Sequence, residues 1–125
     1  MFYCILTYDS EAVVMARTKR QDEALAERQR QLQHELAGQG RLGAAVRLMR
    51  TTTAVTIRPG RRPEILDGPC TETKEQLFGL YIVDCATLDQ AIETARRIGE
   101  CSLSPDSGTL EIRPIAWLGM NGAPT

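Results

Sequence analysis

Two short stretches of this chain are apolar on both of their alternating faces, and the chain offers too few helices to cover them. In Phe2–Tyr8, the residues Phe2, Cys4 and Leu6 alternate with Tyr3, Ile5 and Thr7. In Leu77–Cys85, the run Leu77-Phe78-Gly79-Leu80-Tyr81-Ile82-Val83 leaves neither face polar. Successive side chains of a strand point to opposite faces, so segments of this kind are buried on both sides. Both are expected to be central strands.

The rest of the chain supplies two helices and further strands. Thr18 and Gln21 stand at capping-box spacing, which predicts a helix from about residue 18 to 37, stopped by Gly38 and Gly40. Leu25, Leu32 and Leu36 form its apolar stripe. Full burial of each leucine is worth about 1.5–3 kcal/mol, which is enough to dock the helix. Thr87 and Gln90 cap a second helix, with Leu88, Ala91, Ile92, Ala95 and Ile98 at helical spacing and Gly99 as its expected end. Leu42–Met49 reads as a strand. Thr53–Arg58 and Pro63–Leu66, joined by Pro59-Gly60-Arg61-Arg62, read as a hairpin that delivers the chain to Asp67. Asp9–Arg17 is a connector and Cys101–Ser107 a loop. Thr109–Trp117 is the last strand, and Pro114 puts it at an edge or marks its end.

The order is strand, helix, strand, inserted hairpin, strand, helix, strand. Without the hairpin this is the ferredoxin-like α+β pattern, with both helices on one face of an antiparallel sheet. The second face is apolar and no helix remains to hide it. A homodimer joined through its sheet faces, a dimeric α+β barrel, is therefore expected.

A chain of 125 residues suits one domain, placed at 1–117, with 118–125 as a flexible tail. The net charge of -1 gives no electrostatic footprint for nucleic acid. Residues 1–8 lack a basic leader region and are too short to span a membrane, so a cytoplasmic location is expected. Cys4, Cys70, Cys85 and Cys101 form no C-x-x-C pair, and one histidine makes no zinc pattern. Free thiols and no cofactor are expected.

Asp67-Gly68-Pro69-Cys70-Thr71-Glu72-Thr73-Lys74-Glu75-Gln76 is the densest run of turn formers and ionisable groups. Asp67 is the first choice for a catalytic role, as general base or ligand-orienting acceptor; holding the turn by an Asx contact is the preferred alternative. Thr73 and Gln76 allow a short helical turn whose N-terminus would attract an anion. Arg47, Lys74, Arg113 and Tyr8 are candidate ligand-binding groups, although Glu111 and Arg113 share a strand face and pair more simply with each other. Cys70 reads as a small hydrophobe rather than a reactive thiol. Arg58, Arg61 and Arg62 form a solvated hairpin tip. His34 falls on the face opposite Leu32 and Leu36 and reads as a surface residue.

Asp67-Gly68-Pro69, Glu72-Thr73-Lys74-Glu75-Gln76-Leu77, Gly79-Leu80-Tyr81-Ile82-Val83-Asp84, Leu88-Asp89-Gln90-Ala91 and Glu111-Ile112-Arg113-Pro114 together resemble the DGPF-domain branch of the YCII-related proteins. Cys70 stands where that branch has Phe, and the loop from Cys101 to Gly108 is longer than usual. The resemblance implies a dimeric α+β barrel of unassigned function, in many cases encoded beside extracytoplasmic-function sigma factors. It also implies kinship with cofactor-free enzymes acting on small rings, some with a proposed His–Asp dyad whose histidine lies in the first helix. His34, near the C-terminal end of the predicted helix and on its solvated face, does not carry that dyad over. The expectation is a small-ligand-binding or accessory module; the alternative is a cofactor-free lyase or isomerase working on a small polar or aromatic molecule near Asp67. An enzyme requires a second ionisable group to converge on Asp67 in a pocket.

Overall fold

The structure, a computed structural model, describes residues 1–120 and the backbone of 123–124. The central strands form because their two faces carry apolar side chains that alternate with the pleat. β1 (Phe2–Ser10) and β5 (Glu75–Asp84) pair antiparallel over their whole length, with Ile5 opposite Tyr81 and Tyr3 opposite Val83. β2 (Leu42–Arg47) and β6 (Thr109–Pro114) flank them, giving one antiparallel sheet in the order β2-β5-β1-β6. Pro114, which cannot donate to a ladder, ends the edge strand β6.

Between the strands run α1 (Glu11–Met15), α2 (Lys19–Gly38) and α3 (Leu88–Ser102). Thr18 and Gln21 form the reciprocal capping box at the start of α2. α2 buries Leu32 and Leu36, and its exposed face carries His34. α3 buries Ala91, Thr94, Ala95, Ile98 and Cys101, so its docked stripe is rotated from the expected one, leaving Leu88 and Ile92 partly in water. α3 also passes through Gly99 rather than ending there. A β-carbon at Gly99 would come within 2.7 Å of Leu110 Cδ1, so this glycine serves the close approach of α3 to β6.

α2 and α3 lie on one face of the sheet, where Tyr3, Ile5, Tyr81 and Val83 join Leu36, Ala95 and Ile98 in a single core. On the other face, Phe2, Cys4, Leu6, Leu80 and Ile82 are only half-buried, and Val46 is 42% exposed. The architecture is mixed α+β with antiparallel pairing and is compatible with a ferredoxin-like fold. β3 (Val55–Arg58) and β4 (Glu64–Asp67) pair antiparallel as a separate two-stranded sheet between β2 and β5. β7 (Gly119–Met120) pairs with β8 (Ala123–Pro124). The tail expected at 118–125 lies partly outside the described residues.

Two local expectations are corrected. No helical turn starts at Thr73. Instead the Gln76 side chain donates to the Thr71 and Thr73 carbonyls, and Glu75 is already paired with Ser10 in β5. The anion-attracting helix end is therefore absent from that loop. The second correction concerns Asp9 and Ser10, expected in a connector: β1 continues through both.

The β1–β5 ladder shifts register between Thr7 and Tyr8, where Gly79 faces Thr7 and Leu77 faces Tyr8. A β-carbon on Gly79 would sit 2.2 Å from the Val46 carbonyl oxygen, which is fixed in the neighbouring strand. Gly79→Ala is expected to lower stability by at least about 2 kcal/mol in urea denaturation, because backbone rather than a side-chain tip must yield. Gly99→Ala, which meets only a leucine side chain, is expected to stay within about 1 kcal/mol of the parent.

Candidate active or binding site around Asp9

The inward face of β1 reads Tyr3, Ile5, Thr7, Asp9, and Asp9 is 0% exposed. A carboxylate at an inward strand position needs several donors to remain charged. It has them. Ser10 N donates to Oδ1 at 2.8 Å, Ser107 Oγ to Oδ1 at 2.6 Å and Ser104 N to Oδ2 at 2.8 Å. Arg17 Nη2 approaches Oδ2 at 3.5 Å and also donates to Ser104 Oγ at 3.0 Å. Burial would push the Asp9 carboxyl up, but the bonds from Ser107, Ser104 and Ser10 outweigh it and hold the group below the ordinary aspartate value.

Three pieces of chain deliver these donors. β1 brings Asp9, and Ser10 caps α1 by accepting from Val13 N. The turn from α1 into α2 brings Arg17, whose side chain is only 13% exposed. The loop after α3 brings Ser104 and Ser107, with Gly108 N closing it onto the Ser104 carbonyl at 2.9 Å. Sequence spacing does not reveal this cluster, since its members are up to 98 residues apart. One signal is present in the sequence: the alternation of β1, extended by two residues, puts a carboxylate among inward apolar positions.

Asp9 and Arg17 wall a small cavity of about 50 Å³, together with Thr7, Gln29, Arg47 and Tyr81. Arg47 reaches it because its register partner is Gly79, on the helix-covered side of the sheet. Tyr81 is anchored by Gln33 Nε2, which donates to its hydroxyl at 3.0 Å. Gln29 Nε2 donates to the Cys101 carbonyl at 3.1 Å, tying α2 to the end of α3.

The residues that sequence reasoning singles out fall in separate places. Of the four candidate ligand-binding groups, Arg47 alone lines the Asp9 cavity. Lys74 lines an outer groove between α2 and the 103–107 loop and also a second groove shared with Gly68 and Pro69. Tyr8 and Arg113 are on the open sheet face, where Tyr8 Oη donates to Glu111 Oε1 at 3.1 Å. Glu111 thus bonds Tyr8, and no Glu111–Arg113 ion pair forms among the described residues. Asp67 is exposed on β4, opposite Val55, and lines neither the cavity nor the groove. Cys70 is exposed, whereas Cys85 and Cys101 are buried; all four cysteines are free.

The depressed pKa of Asp9 has a sign. Its stabilising effect is complete above the ordinary aspartate value of 3.8 and is lost as pH falls through the lower folded value. Asp9→Asn is expected to cost about 3 kcal/mol at neutral pH, and this difference from the parent should shrink below about pH 4 in acid unfolding curves. A cost that stayed constant across that range would mean the carboxylate charge contributes nothing.

No helix among the described residues is long and apolar enough to cross a membrane. Nor do the described residues contain a group of three or more His, Cys, Asp or Glu side chains able to hold a metal ion. The chain is 40% identical over 117 residues to an uncharacterised protein of Rhizobium meliloti (strain 1021), an alignment covering 93% of each chain. Residues 1–117 match the family model of the YCII-related domain. With that match spanning nearly the whole chain, the protein belongs to the YCII-related family.

Proposed function

We propose that this protein is a small-ligand-binding module acting as a homodimer, with the ligand received at the Asp9 cavity. The carrying observation is that Asp9 is saturated by four donors while Arg17 and Arg47 both line the same cavity. A carboxylate held ionised and fully bonded is a poor proton acceptor. It is a good brace for its neighbours. Binding is therefore favoured over acid–base catalysis. A lyase or isomerase centred on Asp67 gains no support, because Asp67 lies exposed on β4 and lines neither the Asp9 cavity nor the outer groove, nor the groove of about 640 Å³ that its neighbours Gly68 and Pro69 line. The DGPF-like motif supports an accessory or regulatory role for such a module, including one beside extracytoplasmic-function sigma factors.

The homodimer reading rests on the open sheet face. Phe2, Leu6, Leu80 and Ile82 lie there only half-buried, and Val46 is exposed. An apolar sheet face of this kind is hidden in soluble folds by a second layer, and a second copy supplies one by packing face to face as a dimeric α+β barrel. The hairpin inserted between β2 and β5 adds Ile57 and Ile65, a cross-strand pair that is 63% and 72% exposed.

Sedimentation velocity is expected to give a particle of two chains at micromolar concentration, and Leu80→Arg is expected to give one chain with unchanged circular dichroism. A parent protein that sediments as a single chain would remove the dimer. A thermal-shift screen of small metabolites tests the site. Hits should weaken with Arg47→Gln and persist with Asp67→Ala; the reverse pattern would move the site to the hairpin.

A further inference from the structure

Two arginines and one carboxylate line the Asp9 cavity. Arg17 uses only Nη2 in its bonds to Asp9 and Ser104, leaving Nε and Nη1 without partners among the described residues. Arg47 makes no ion pair or side-chain hydrogen bond among the described residues. The Tyr81 hydroxyl accepts from Gln33 and keeps its own hydrogen, and burial pushes its pKa up, so it stays a donor. On the acceptor side, both Asp9 oxygens are occupied. Two arginines and one aspartate among the lining residues sum to a formal charge of +1 (2 − 1). That balance suits a monoanion better than a phosphate dianion, which would face the fixed charge of Asp9.

Size narrows the choice. About 50 Å³ is room for a few waters, since a single water takes roughly 10–15 Å³ on this scale. A planar carboxylate fits, and it matches the fork of a guanidinium. Anything larger must extend outward. Arg17 and Leu103 also line the adjoining outer groove, which is about 750 Å³ and open to solvent. Its apolar wall includes Val13, Leu25, Leu103 and Pro105, and Val13 is 43% exposed on a helix that buries none of its residues.

Extending the proposed binding function, on which this rests, we infer that cavity and groove form one site for a small organic monocarboxylate. The carboxylate sits against the Arg17 and Arg47 guanidiniums, and an apolar body lies along Leu25 and Leu103. Asp9 does not touch the ligand; it is a positioning residue that fixes Arg17 and the 104–107 loop between the two compartments.

The test is an NMR titration of the full chain with benzoate, benzamide and acetate. Benzoate is expected to shift the Arg17 and Arg47 Nε–Hε signals together with the Leu103 methyls. Acetate should shift the arginine signals alone, and neutral benzamide neither set. Arg47→Gln, an exposed position that should fold normally, is expected to weaken benzoate about tenfold. Benzamide binding as well as benzoate, at the same residues, would overturn the anion assignment while leaving a ligand site there. Inorganic phosphate outcompeting benzoate at both arginines would overturn the carboxylate assignment. No shift at these residues with any probe would overturn the binding reading as well.

Discussion

A single buried carboxylate holds together the end of the sheet where the candidate site lies. Asp9 lies at the end of β1, where the apolar alternation of the strand would otherwise demand a hydrophobe. Because it is buried, it must be supplied with donors, and those donors come from the α1–α2 turn and from the loop after α3. The N-terminal and C-terminal parts of the chain meet at this one charge. Removing its partners would leave an uncompensated ion in the core, a cost that is strongly destabilising. The site is thus bound to the fold rather than grafted onto a mobile loop.

The sheet itself is legible in the sequence. Phe2–Tyr8 and Leu77–Cys85 are apolar on both faces, which by itself assigns them to the centre, and the order β2-β5-β1-β6 agrees. Capping residues Thr18 and Thr87 locate both long helices, because the side chain that closes the helix is local to its start. Gly99 misleads, since a glycine that ends a helix and one that lets a strand approach look alike in sequence. The rotation of the α3 stripe, with Thr94 buried and Ile92 not, depends on which side meets β6 and is not a local property.

The candidate site is much less legible. The dense stretch around Asp67 stands out for its turn chemistry, and that chemistry serves a local purpose: Gly68 takes φ 102°, which favours glycine, and Thr56 Oγ1 donates to its carbonyl. The residues that converge are instead Asp9, Arg17, Arg47, Ser104 and Ser107, from four distant segments. Only tertiary structure joins them. Arg47 stands among alternating apolar residues, and that same alternation brings it to the cavity wall.

Two demands shape the rest of the molecule. One face of the sheet is closed by α2 and α3 around Ile5, Val83 and Ile98, and the other is left to a partner surface under the proposed assembly. The cavity opens at the sheet end governed by Asp9. The central claim, that Asp9 is a permanently ionised brace and not a proton acceptor, is tested most directly by following its side-chain carboxyl carbon by NMR as a function of pH. The account predicts a single titration below the ordinary aspartate value of 3.8, with no change through neutrality. A midpoint at or above that value would contradict it, and a midpoint near neutrality would return Asp9 to the role of a general base.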